Sequence, residues 1–538
     1  MGRSSTAEGP VLVGCDIGTG AVKTILASSD GTLLARASAE HPMHHPRPGW
    51  AENDPDDWYR GLSATIREAL AAAAVDPARI AGLGVVSQRE PVVLTDAEGL
   101  PVAPSISWTD ARATAEADEV AERFGRDWLI ETTGMAPTHG MSLAHLLWYR
   151  RHRSDVWPSV RQIRFAKDYV LHRLTGCCAT DPTTPSRSSL LDIRGLDWSE
   201  EVCDGSGIDP GLLPPIAGRP WEPAAELPAA QASELGLRPG LPVAMGGSDD
   251  ASATLGCGAI EPGQAGVGTG TAANWRTVMG EYRADHSGAG DVSPHVVPDR
   301  YLYEVAIEST GSSLRWLRDT LVGPGGRSGF DELIGEAAGV ACGADGLLCF
   351  PFVDGASRAP WYADGARAAY FGVASGHTRA HLVRAMLEGI AYQYRATMSI
   401  LTQPGAHPGP LSASDPIGIG DGEARSPVWT QLKADVLGTP LRVPRIADLA
   451  AAGAAILAGL AAGVFTDAAD GVARLVRWDR QYDPDPGRSA AYRELSAAYD
   501  LTYERVAQTF GAAHSPNQDN QPEPAPRGNE ITSSQGEA

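Results

Sequence analysis

The sequence predicts an α/β protein built from two domains with a cleft between them. A chain of 538 residues is longer than one hydrophobic core usually supports, so two domains are expected. Stretches that favour strands alternate with stretches that favour helices, which is typical of α/β layers. A strand, a glycine turn and a second strand occur near Gly18 and again near Gly268. This recurrence indicates that the two domains share one plan.

The two strand–turn–strand units run from Val11 to Ala27 and from Gln264 to Val278. In each unit an apolar run leads into a Gly-Thr-Gly turn, and a second apolar run follows, as in a hairpin. The domain border is expected at Gly256–Gly263, where small residues and Pro262 interrupt the pattern. The expected organisation is an N-terminal extension over residues 1–10, a first domain over 11–257, a second domain over 258–512 and a disordered tail over 513–538 that is rich in Pro, Asn, Gln, Glu and Ser.

Helices are expected where apolar residues recur at helical spacing. The stretch Ala450–Ala462 is mostly Ala and Gly, which favours a buried helix over a membrane span. The expected helices are Asp56–Ala74, Ala113–Phe124, Leu143–Arg151 and Lys167–Leu174 in the first half, and Ser312–Thr320, Arg379–Leu401, Pro427–Leu437 and Ala450–Ala462 in the second.

Composition excludes several classes of function. The formal net charge of -22 argues against nucleic acid or an anionic membrane as a partner. The cysteines are odd in number and form no C-x-x-C pair, which argues against a disulfide framework or a zinc site and favours a reducing cytoplasm. His41, His44 and His45 lie among prolines at a spacing that matches no usual zinc pattern. Residues 1–10 lack the apolar segment of a secretory signal.

The first glycine turn has the chemistry of a phosphate site. Asp16 stands just before Gly18, Thr19 and Gly20, whose backbone amides and hydroxyl are suited to an approaching anion. Lys23 follows closely enough to balance phosphate charge. The alternative is an ordinary hairpin turn in which Asp16 satisfies local amides.

The second turn, Gly268, Thr269 and Gly270, is suited to the same phosphates from the opposite domain. The sequence contains no G-x-x-x-x-G-K-[ST] pattern and no G-x-G-x-x-G between a strand and a helix. A bound nucleotide is therefore expected between two opposed hairpin turns.

A third glycine segment precedes the helix expected at Pro427. Gly420, Gly422 and Glu423 lead to Ser426, which is placed to cap that helix. A glycine loop that opens a helix offers amides and a positive dipole end to a nucleotide. The alternative is a plain connection between a strand and a helix.

Asp249 is the candidate general base. It follows the apolar strand Leu241–Met245, so its carboxylate is expected to project from the end of a strand into the cleft. Phosphoryl transfer to an alcohol needs a carboxylate that orients the hydroxyl and accepts its proton. The alternative is a helix cap, a role that Asp250 can take while Asp249 faces the cleft.

Gln88, Arg89 and Glu90 follow the strand Gly82–Val86 and are candidates for binding the acceptor. Arginine as donor and glutamate as acceptor can hydrogen-bond vicinal hydroxyls, and a surface ion pair is the alternative. Trp108 and Asp110 are expected to close the same pocket, together with Asp249 and Asp250, although Trp108 also fits a core position.

Together these motifs resemble the FGGY carbohydrate kinase family, within the actin-like ATPase superfamily, from Val11 to about Arg505. They occur in the order that the family shows. The motifs are Asp16-Ile-Gly-Thr-Gly-Ala-Val-Lys23, His45-Pro-Arg-Pro-Gly-Trp-Ala-Glu-Asn-Asp-Pro55, Trp108-Thr-Asp-Ala-Arg112, Gly246-Gly-Ser-Asp249, Gly268-Thr-Gly270, Arg384-Ala-Met-Leu-Glu-Gly389 and Ala424-Arg-Ser-Pro-Val-Trp429.

The resemblance implies two actin-like, ribonuclease H-like ATPase domains that close over ATP and Mg²⁺. It implies that the first domain holds a small sugar or polyol and the second holds adenosine. It makes Asp249 the general base, puts Asp16 near Mg²⁺ through water, and puts Thr19 and Thr269 at the phosphates. Similarity also suggests a homodimer.

Two departures from the family pattern bear on the ligands. The adenine-side loop usually has consecutive glycines, whereas Asp421 and Glu423 flank Gly422 here, and their side chains are expected to crowd or repel a nucleotide. Gln88-Arg89-Glu90 is similar to glycerol and autoinducer-2 kinases, whereas xylulokinases commonly have Met-His-Gly at this point.

Three functions remain open from the sequence. Lys23 and the loop before Trp50 look like xylulokinase, so a pentulose such as xylulose is the leading acceptor. Glycerol, erythritol or another short polyol or hydroxyketone is the second. The third is a catalytically weak, sugar-responsive regulatory protein, which is considered because Asp421 departs from the consecutive glycines of the family's adenine-side loop.

Overall fold

A computed structural model describes residues 9–323, 327–356, 360–361, 365–402, 411–412 and 415–510. The predicted tail over residues 513–538 and most of the predicted N-terminal extension lie outside these residues. Within the described ranges, no helix is long and apolar enough to span a membrane.

The first half of the chain contains twelve strands and eight helices within the described residues. The strands are β1 (Val11–Ile17), β2 (Ala21–Ser28), β3 (Leu33–Glu40), β4 (Glu52–Asn53), β5 (Ile80–Ser87), β6 (Val92–Thr95), β7 (Ser105–Ile106), β8 (Gln162–Phe165), β9 (Leu191–Asp192), β10 (Asp197–Trp198), β11 (Pro223–Glu226) and β12 (Pro242–Ala244). The helices are α1 (Pro55–Ala73), α2 (Thr114–Phe124), α3 (Arg126–Thr133), α4 (Ser142–His152), α5 (Ala166–Thr175), α6 (Glu200–Ser206), α7 (Ala229–Leu235) and α8 (Asp249–Gly256).

The second half contains the remaining described elements. Its strands are β13 (Ala265–Thr269), β14 (Ala273–Met279), β15 (Asp291–Pro294), β16 (Tyr301–Ile307), β17 (Leu348–Phe350), β18 (Ala369–Phe371), β19 (Ile417–Asp421), β20 (Leu441–Pro444) and β21 (Trp478–Tyr482). Its helices are α9 (Gly311–Val322), α10 (Arg327–Ala337), α11 (Arg379–Thr402), α12 (Pro427–Leu437), α13 (Leu449–Ala461), α14 (Ala468–Leu475) and α15 (Pro486–Phe510).

Each half is organised around one mixed sheet, and the two sheets share a plan. The first has the order β11-β12-β5-β1-β2-β3 and the second the order β15-β16-β14-β13-β19-β20-β21. In the first sheet, the antiparallel strands β3, β2 and β1 are followed by β5 and β12, which run parallel to β1. In the second sheet, the antiparallel strands β16, β14 and β13 are followed by β19 and β20, which run parallel to β13. The predicted α/β fold and its repeated plan are confirmed.

Local signals at helix starts explain why the predicted helices form where they do. α1 begins at Pro55 after Asp54, whose side chain accepts a hydrogen bond from the amide of Asp56. α12 begins at Pro427 after Ser426, whose hydroxyl accepts from the amide of Trp429. Each cap satisfies an amide that has no partner within the helix, and proline at the first helical position loses no bond.

Helix α13 joins the two halves. It belongs to the second half but packs on the first sheet, directly over Gly14, Gly82 and Gly84. A Cβ atom at Gly14 or Gly84 would overlap a carbonyl oxygen of α13, so only glycine allows this close approach. The buried Ala-rich helix predicted near Ala450–Ala462 is therefore confirmed, and it lies at the interface between the sheets.

Candidate active site

Three parallel strands of the first sheet end at one edge, and the candidate residues follow these ends. Ile17 of β1 pairs with Ser87 of β5, and Ser87 forms a parallel bridge with Ser248 just after β12. The first glycine turn, Gln88 and Asp249 each come directly after one of these positions. These residues therefore lie together at the carboxyl edge of the first sheet.

Asp16 is a buried carboxyl group with unused hydrogen-bonding capacity. Its Oδ2 lies 3.9 Å from Nζ of Lys23, its neighbour across the hairpin, while its Oδ1 is buried without a hydrogen-bond partner. Burial raises the pKa of Asp16 to about 6, although Lys23 opposes the shift and the charges of Asp421 and Asp448 add to it.

This environment fits a hydrated divalent cation. An added positive charge would relieve the repulsion among these carboxylates, and Mg²⁺ typically keeps several of its waters. The residues that the structure describes contain no group of three or more His, Cys, Asp or Glu side chains able to hold a metal directly. A single carboxylate such as that of Asp16 can contact a hydrated Mg²⁺ through one of its waters.

Thr19 connects the first turn to two other candidate residues. Its hydroxyl donates to Oε1 of Gln88 at 3.3 Å and accepts from Nε1 of Trp108 at 3.0 Å. Trp108 is 39% exposed, so it lies over the turn and is not a core residue. Gly20 is exposed, and a Cβ there would meet no atom within 4 Å. The turn is therefore open to a ligand.

In the second turn, the hydroxyl of Thr269 is already used within the protein. It donates to the carbonyl oxygen of Gly420 at 2.6 Å and accepts from the amide of Glu423 at 3.0 Å. Gly270, in contrast, is exposed at the tip. What this turn offers a ligand is the backbone around Gly270, and Thr269 fixes the turn to β19.

The segment that contains Gly420 and Gly422 differs from the open loop that we expected. Gly420 is a buried residue inside β19, and a Cβ there would overlap the side chain of Leu449. The amide of Gly422 donates to the carbonyl of Thr269 at 2.9 Å. Gly420 is therefore needed for packing beside the second turn, whereas a Cβ at Gly422 would make only an ordinary contact, at 3.6 Å. The amide of Gly422 is bonded within the protein and is not free in the way that a phosphate loop requires.

Glu423 and Asp421 also differ from expectation, because both carboxylates have partners inside the protein. The buried carboxylate of Glu423 accepts from Nζ of Lys433 and, at 3.0 Å, from the hydroxyl of Tyr394. Asp421 has a left-handed backbone (φ 64°), and its Oδ1 accepts from the first amide of α13, that of Leu449, at 3.3 Å. We expected these side chains to crowd or repel a nucleotide, whereas each carboxylate is held by contacts within the protein; a contact of Glu423 with the nucleotide stays a prediction.

Asp249 is the first residue of α8, but it does not cap the helix. The hydroxyl of Ser248 accepts from the amide of Ala251, so the capping role that we considered for Asp249 or Asp250 belongs to Ser248. Asp249 is partly exposed, and its Oδ1 accepts only from the amide of Asp250 among the described contacts, at 2.8 Å. Its carboxylate is thus left available at the cleft.

A buried polar chain holds the start of α8 in place. The amide of Ser248 donates to Oγ1 of Thr183 at 2.9 Å, and Thr183 donates to Oδ2 of Asp181 at 2.5 Å. Lys167 is fully buried, lies 3.4 Å from Asp181 and donates to the carbonyl of Met245 at 3.0 Å. These contacts position the backbone on both sides of Gly246 and Gly247, and so position Asp249.

The pKa values of Asp249 and Asp250 are shifted in opposite directions. Burial raises the pKa of Asp249 well above its usual value, and the charges of Asp250 and Asp16 raise it further. Burial also acts to raise the pKa of Asp250, but the ion pairs with Arg276 and Arg89 outweigh it and hold that pKa below its usual value. Asp249 is therefore the better proton acceptor of the two.

Arg89 and Glu90 are at the site but are both paired with charged residues. Arg89 is 4% exposed and contacts both oxygens of Glu304, at 2.7 and 2.9 Å, and Asp250 at 2.5 Å. Glu90 accepts from Nε of Arg187 at 2.7 Å. The surface ion pair that we weighed as an alternative is excluded, because the pairing is buried and Glu304 comes from the second sheet.

Asp110 does not face the cleft. It is fully buried, accepts from the amide of Ala51 at 2.5 Å and forms an ion pair with Arg112 at 2.7 Å. The prediction that Asp110 contacts the acceptor is corrected: its carboxylate ties the segment after Trp50 to the segment after Trp108.

Sequence reasoning missed the residues that the second sheet contributes. Asn274 and Arg276 of β14 both contact Asp250, and Glu304 of β16 contacts Arg89 and Asn274. A signal was present, because Asn274 and Arg276 alternate with apolar residues after the second turn. Such alternation places polar side chains on one face of a strand.

The site therefore combines two exposed glycine turns, one partly exposed carboxylate of raised pKa and one buried carboxyl group suited to a hydrated cation. Such a set can bind phosphates at the turns and accept a proton beside them. Together with two sheets of one plan, it defines the ribonuclease H-like, actin-like class of ATPases.

Within that class, sequence models of the FGGY family of carbohydrate kinases match most of the chain. The N-terminal domain model matches residues 11–256 and the C-terminal domain model matches residues 265–462. The chain belongs to the FGGY family of carbohydrate kinases, which use ATP as phosphate donor. It is a phosphotransferase with an alcohol group as acceptor.

Individual relatives agree with this assignment. The chain is 27% identical over 492 residues to a xylulose kinase of Bacillus subtilis, covering 91% of this chain and 96% of that protein. It is 29% identical over 511 residues to an autoinducer-2 kinase of Escherichia coli, covering 92% and 94%. A crystal structure of a xylulose kinase from Rhodospirillum rubrum matches with a TM-score of 0.80 at 29% identity, covering 93% and 100%.

Proposed function

We propose that the protein phosphorylates a hydroxyl of a pentulose such as xylulose, with Asp249 as the general base. The observation that carries this proposal is the environment of Asp249. It stands at the carboxyl edge of the first sheet, beside the first glycine turn, with its carboxylate available and the pKa of that group raised. Similarity to proteins named xylulose kinase supports the choice of a pentulose.

In the proposed reaction, Asp249 orients the attacking hydroxyl and accepts its proton as the oxygen bonds to the γ-phosphorus of ATP. The bond between that phosphorus and the oxygen that bridges it to the β-phosphate breaks, and ADP leaves. A raised pKa makes this carboxylate a stronger base than an ordinary aspartate, provided that it is ionised at the working pH. Asp250 stays an anion because Arg276 and Arg89 hold it, so it does not compete for the proton.

The two turns bind the phosphates in this proposal. The exposed backbone at Gly20 and around Gly270 is suited to phosphate oxygens, although the amide of Gly270 itself donates to the carbonyl of Ala272 at 2.9 Å, and Lys23 adds positive charge beside the first turn. Asp16 would hold Mg²⁺ through water. When bound, this ion neutralises charge on the phosphates.

The direct test is ADP release by the purified protein with ATP and Mg²⁺, measured with xylulose, ribulose, glycerol, erythritol or no acceptor. Strong stimulation by a pentulose is the expected result. Glycerol or erythritol as the best acceptor would contradict the pentulose assignment and leave the kinase assignment intact.

The role of Asp249 is tested separately with Asp249→Asn. We expect a loss of roughly 10²–10⁴-fold in kcat with nucleotide binding retained, since a general base contributes about that much. Asp470→Asn is the matched control, because Asp470 also stands in the first turn of a helix, α14. A wild-type rate for Asp249→Asn would show that another group is the base.

A short polyol or hydroxyketone is the second candidate acceptor. Gln88-Arg89-Glu90 favours it, and the similarity to a protein named autoinducer-2 kinase is as high as the similarity to those named xylulose kinase. Glycerol and erythritol in the acceptor panel distinguish this candidate from the first.

A further inference from the structure

Arg89, which contacts Asp250 beside the proposed base, is occupied by a glutamate from the other sheet. Arg89 of the first half and Glu304 of β16 are each 4% exposed, and the guanidinium contacts both carboxylate oxygens, at 2.7 and 2.9 Å. Such a bidentate pair is strong and geometrically defined. Nη2 of Arg89 also contacts Asp250 at 2.5 Å, so two carboxylates share one guanidinium.

Glu304 is held firmly in this position. Its carboxylate also accepts from the hydroxyl of Ser293 and, at 3.3 Å, from the side-chain amide of Asn274. Both residues belong to strands that neighbour β16 in the second sheet. A rotation of Glu304 away from Arg89 would therefore break several buried hydrogen bonds at once.

Two further guanidinium groups at the site, those of Arg276 and Arg187, are paired as well. Arg276 contacts Asp250 at 2.5 Å, and Arg187 contacts Glu90 at 2.7 Å and Asp291 at 2.5 Å. The charges in this region are three guanidinium groups and five carboxylates, counting Asp249 as ionised; the groups are Arg89, Arg187, Arg276, Glu90, Asp249, Asp250, Asp291 and Glu304.

We infer that Glu304 is a specificity-determining residue: by occupying Arg89 it restricts the acceptor site to uncharged sugars and polyols and excludes acceptors that carry a carboxylate. This inference rests on the proposed function of the site. Among the residues that the structure describes, a sugar carboxylate would enter a region of net negative charge in which Arg89, Arg187 and Arg276 each contact a carboxylate already, which is unfavourable. Neutral hydroxyls, in contrast, can donate hydrogen bonds to the carboxylates there.

The experiment compares binding of xylulose and of gluconate, a sugar acid, by titration calorimetry in the absence of ATP. Wild-type protein should bind xylulose at least about tenfold more tightly than gluconate, a difference of about 1.4 kcal/mol. Glu304→Gln keeps the shape of the side chain and removes its charge, so Arg89 becomes available. This variant should reduce the preference for xylulose about tenfold or more.

Two further variants identify the cause of any change. In the double variant Arg89→Gln with Glu304→Gln the cation is also removed, so the gain in gluconate binding should disappear. Glu388→Gln is the matched control, because Glu388 is likewise buried and paired with an arginine, Arg384, at 2.7 Å, within α11. It should leave the preference unchanged.

Several outcomes would overturn the inference. They are wild-type binding of gluconate as tight as that of xylulose, an unchanged preference in a folded Glu304→Gln, an equal change in Glu388→Gln, or no acceptor binding by any variant. If Glu304→Gln does not fold, the wild-type comparison decides alone. Failure of the proposed function is distinct, because it would appear as xylulose binding without ADP release when ATP and Mg²⁺ are added.

Discussion

At the scale of single residues, neighbouring charges decide which of the two adjacent carboxyl groups, Asp249 or Asp250, takes up a proton more readily. Asp249 and Asp250 are adjacent in the chain, yet burial raises the pKa of the first while two arginines, against burial, lower that of the second. When two carboxyl groups are this close, neutralising one changes the proton affinity of the other. The acid side of the pH–rate profile reports this coupling.

We predict that Asp250→Asn moves the acid limb of the pH–rate profile to lower pH. The substitution removes a negative charge beside Asp249 and leaves Arg89 and Arg276 nearby, so the pKa of Asp249 falls. Because the base acts in its ionised form, transfer then persists to lower pH. The measurement is kcat/KM for the acceptor from about pH 5 to about pH 9. A limb that stays in place or moves to higher pH would show that Asp249 is not the group that titrates.

At the scale of elements, the start of α8 depends on contacts made by a different segment of the chain. Ser248 caps the helix with its side chain, and its backbone amide is bonded to Thr183. Thr183 is in turn bonded to Asp181, which lies near Lys167. The position of Asp249 is therefore set from outside its own helix, which is how supporting residues act on a reacting group.

We predict that Thr183→Val lowers kcat about tenfold, or about 1.4 kcal/mol in activation free energy, with little change in KM. Valine has nearly the same shape but cannot accept the hydrogen bond from Ser248, so the base loses its fixed position. Thr183→Ser keeps the hydroxyl and is the matched control, expected near the wild-type rate. Both variants should retain the wild-type thermal unfolding temperature within a few degrees. Equal rates for Val and Ser would mean that this bond does not position Asp249.

At the scale of the whole molecule, the two halves share a buried apolar cluster. A buried apolar cluster combines Leu12, Ile25 and Val86 of the first half with Ile456 and Leu457 of the second. These residues meet where α13 covers the first sheet. Without α13, that face of the sheet would be exposed as a large apolar patch, which folded monomers rarely tolerate.

We predict that a fragment of residues 9–257 does not fold by itself into a stable monomer. Expressed alone, it should associate on size-exclusion chromatography and show no single cooperative thermal transition by circular dichroism. Co-expression with residues 258–510 should restore a soluble complex, because α13 then covers the exposed face. A monomeric fragment with a cooperative transition would show instead that the first domain is independent.

Features of the fold and the site that depend on residues close together in the chain could be predicted from the sequence. Features that depend on contacts between distant residues could not. Helix starts and glycine turns are local, so Ser426 and the two Gly-Thr-Gly turns predicted their elements, and Asp54, which caps α1, could have been recognised in the same way. The pair of Arg89 and Glu304 joins residues 215 positions apart, and only the packed sheets bring them together. The role of Asp110 is intermediate: its partner Arg112 stands two residues away, so the motif itself contained the signal of an ion pair.

The glycines beneath α13 also affect how the halves can move relative to each other. Where side chains interdigitate, sliding two elements past each other requires rotamers to change and pockets to empty. At Gly14, Gly82 and Gly84 the helix backbone rests on a surface without side chains. A rotation at those three positions requires no side chain to change rotamer, so this part of the contact resists rotation less than the packing of Leu12 and Val86 against Ile456 beside it.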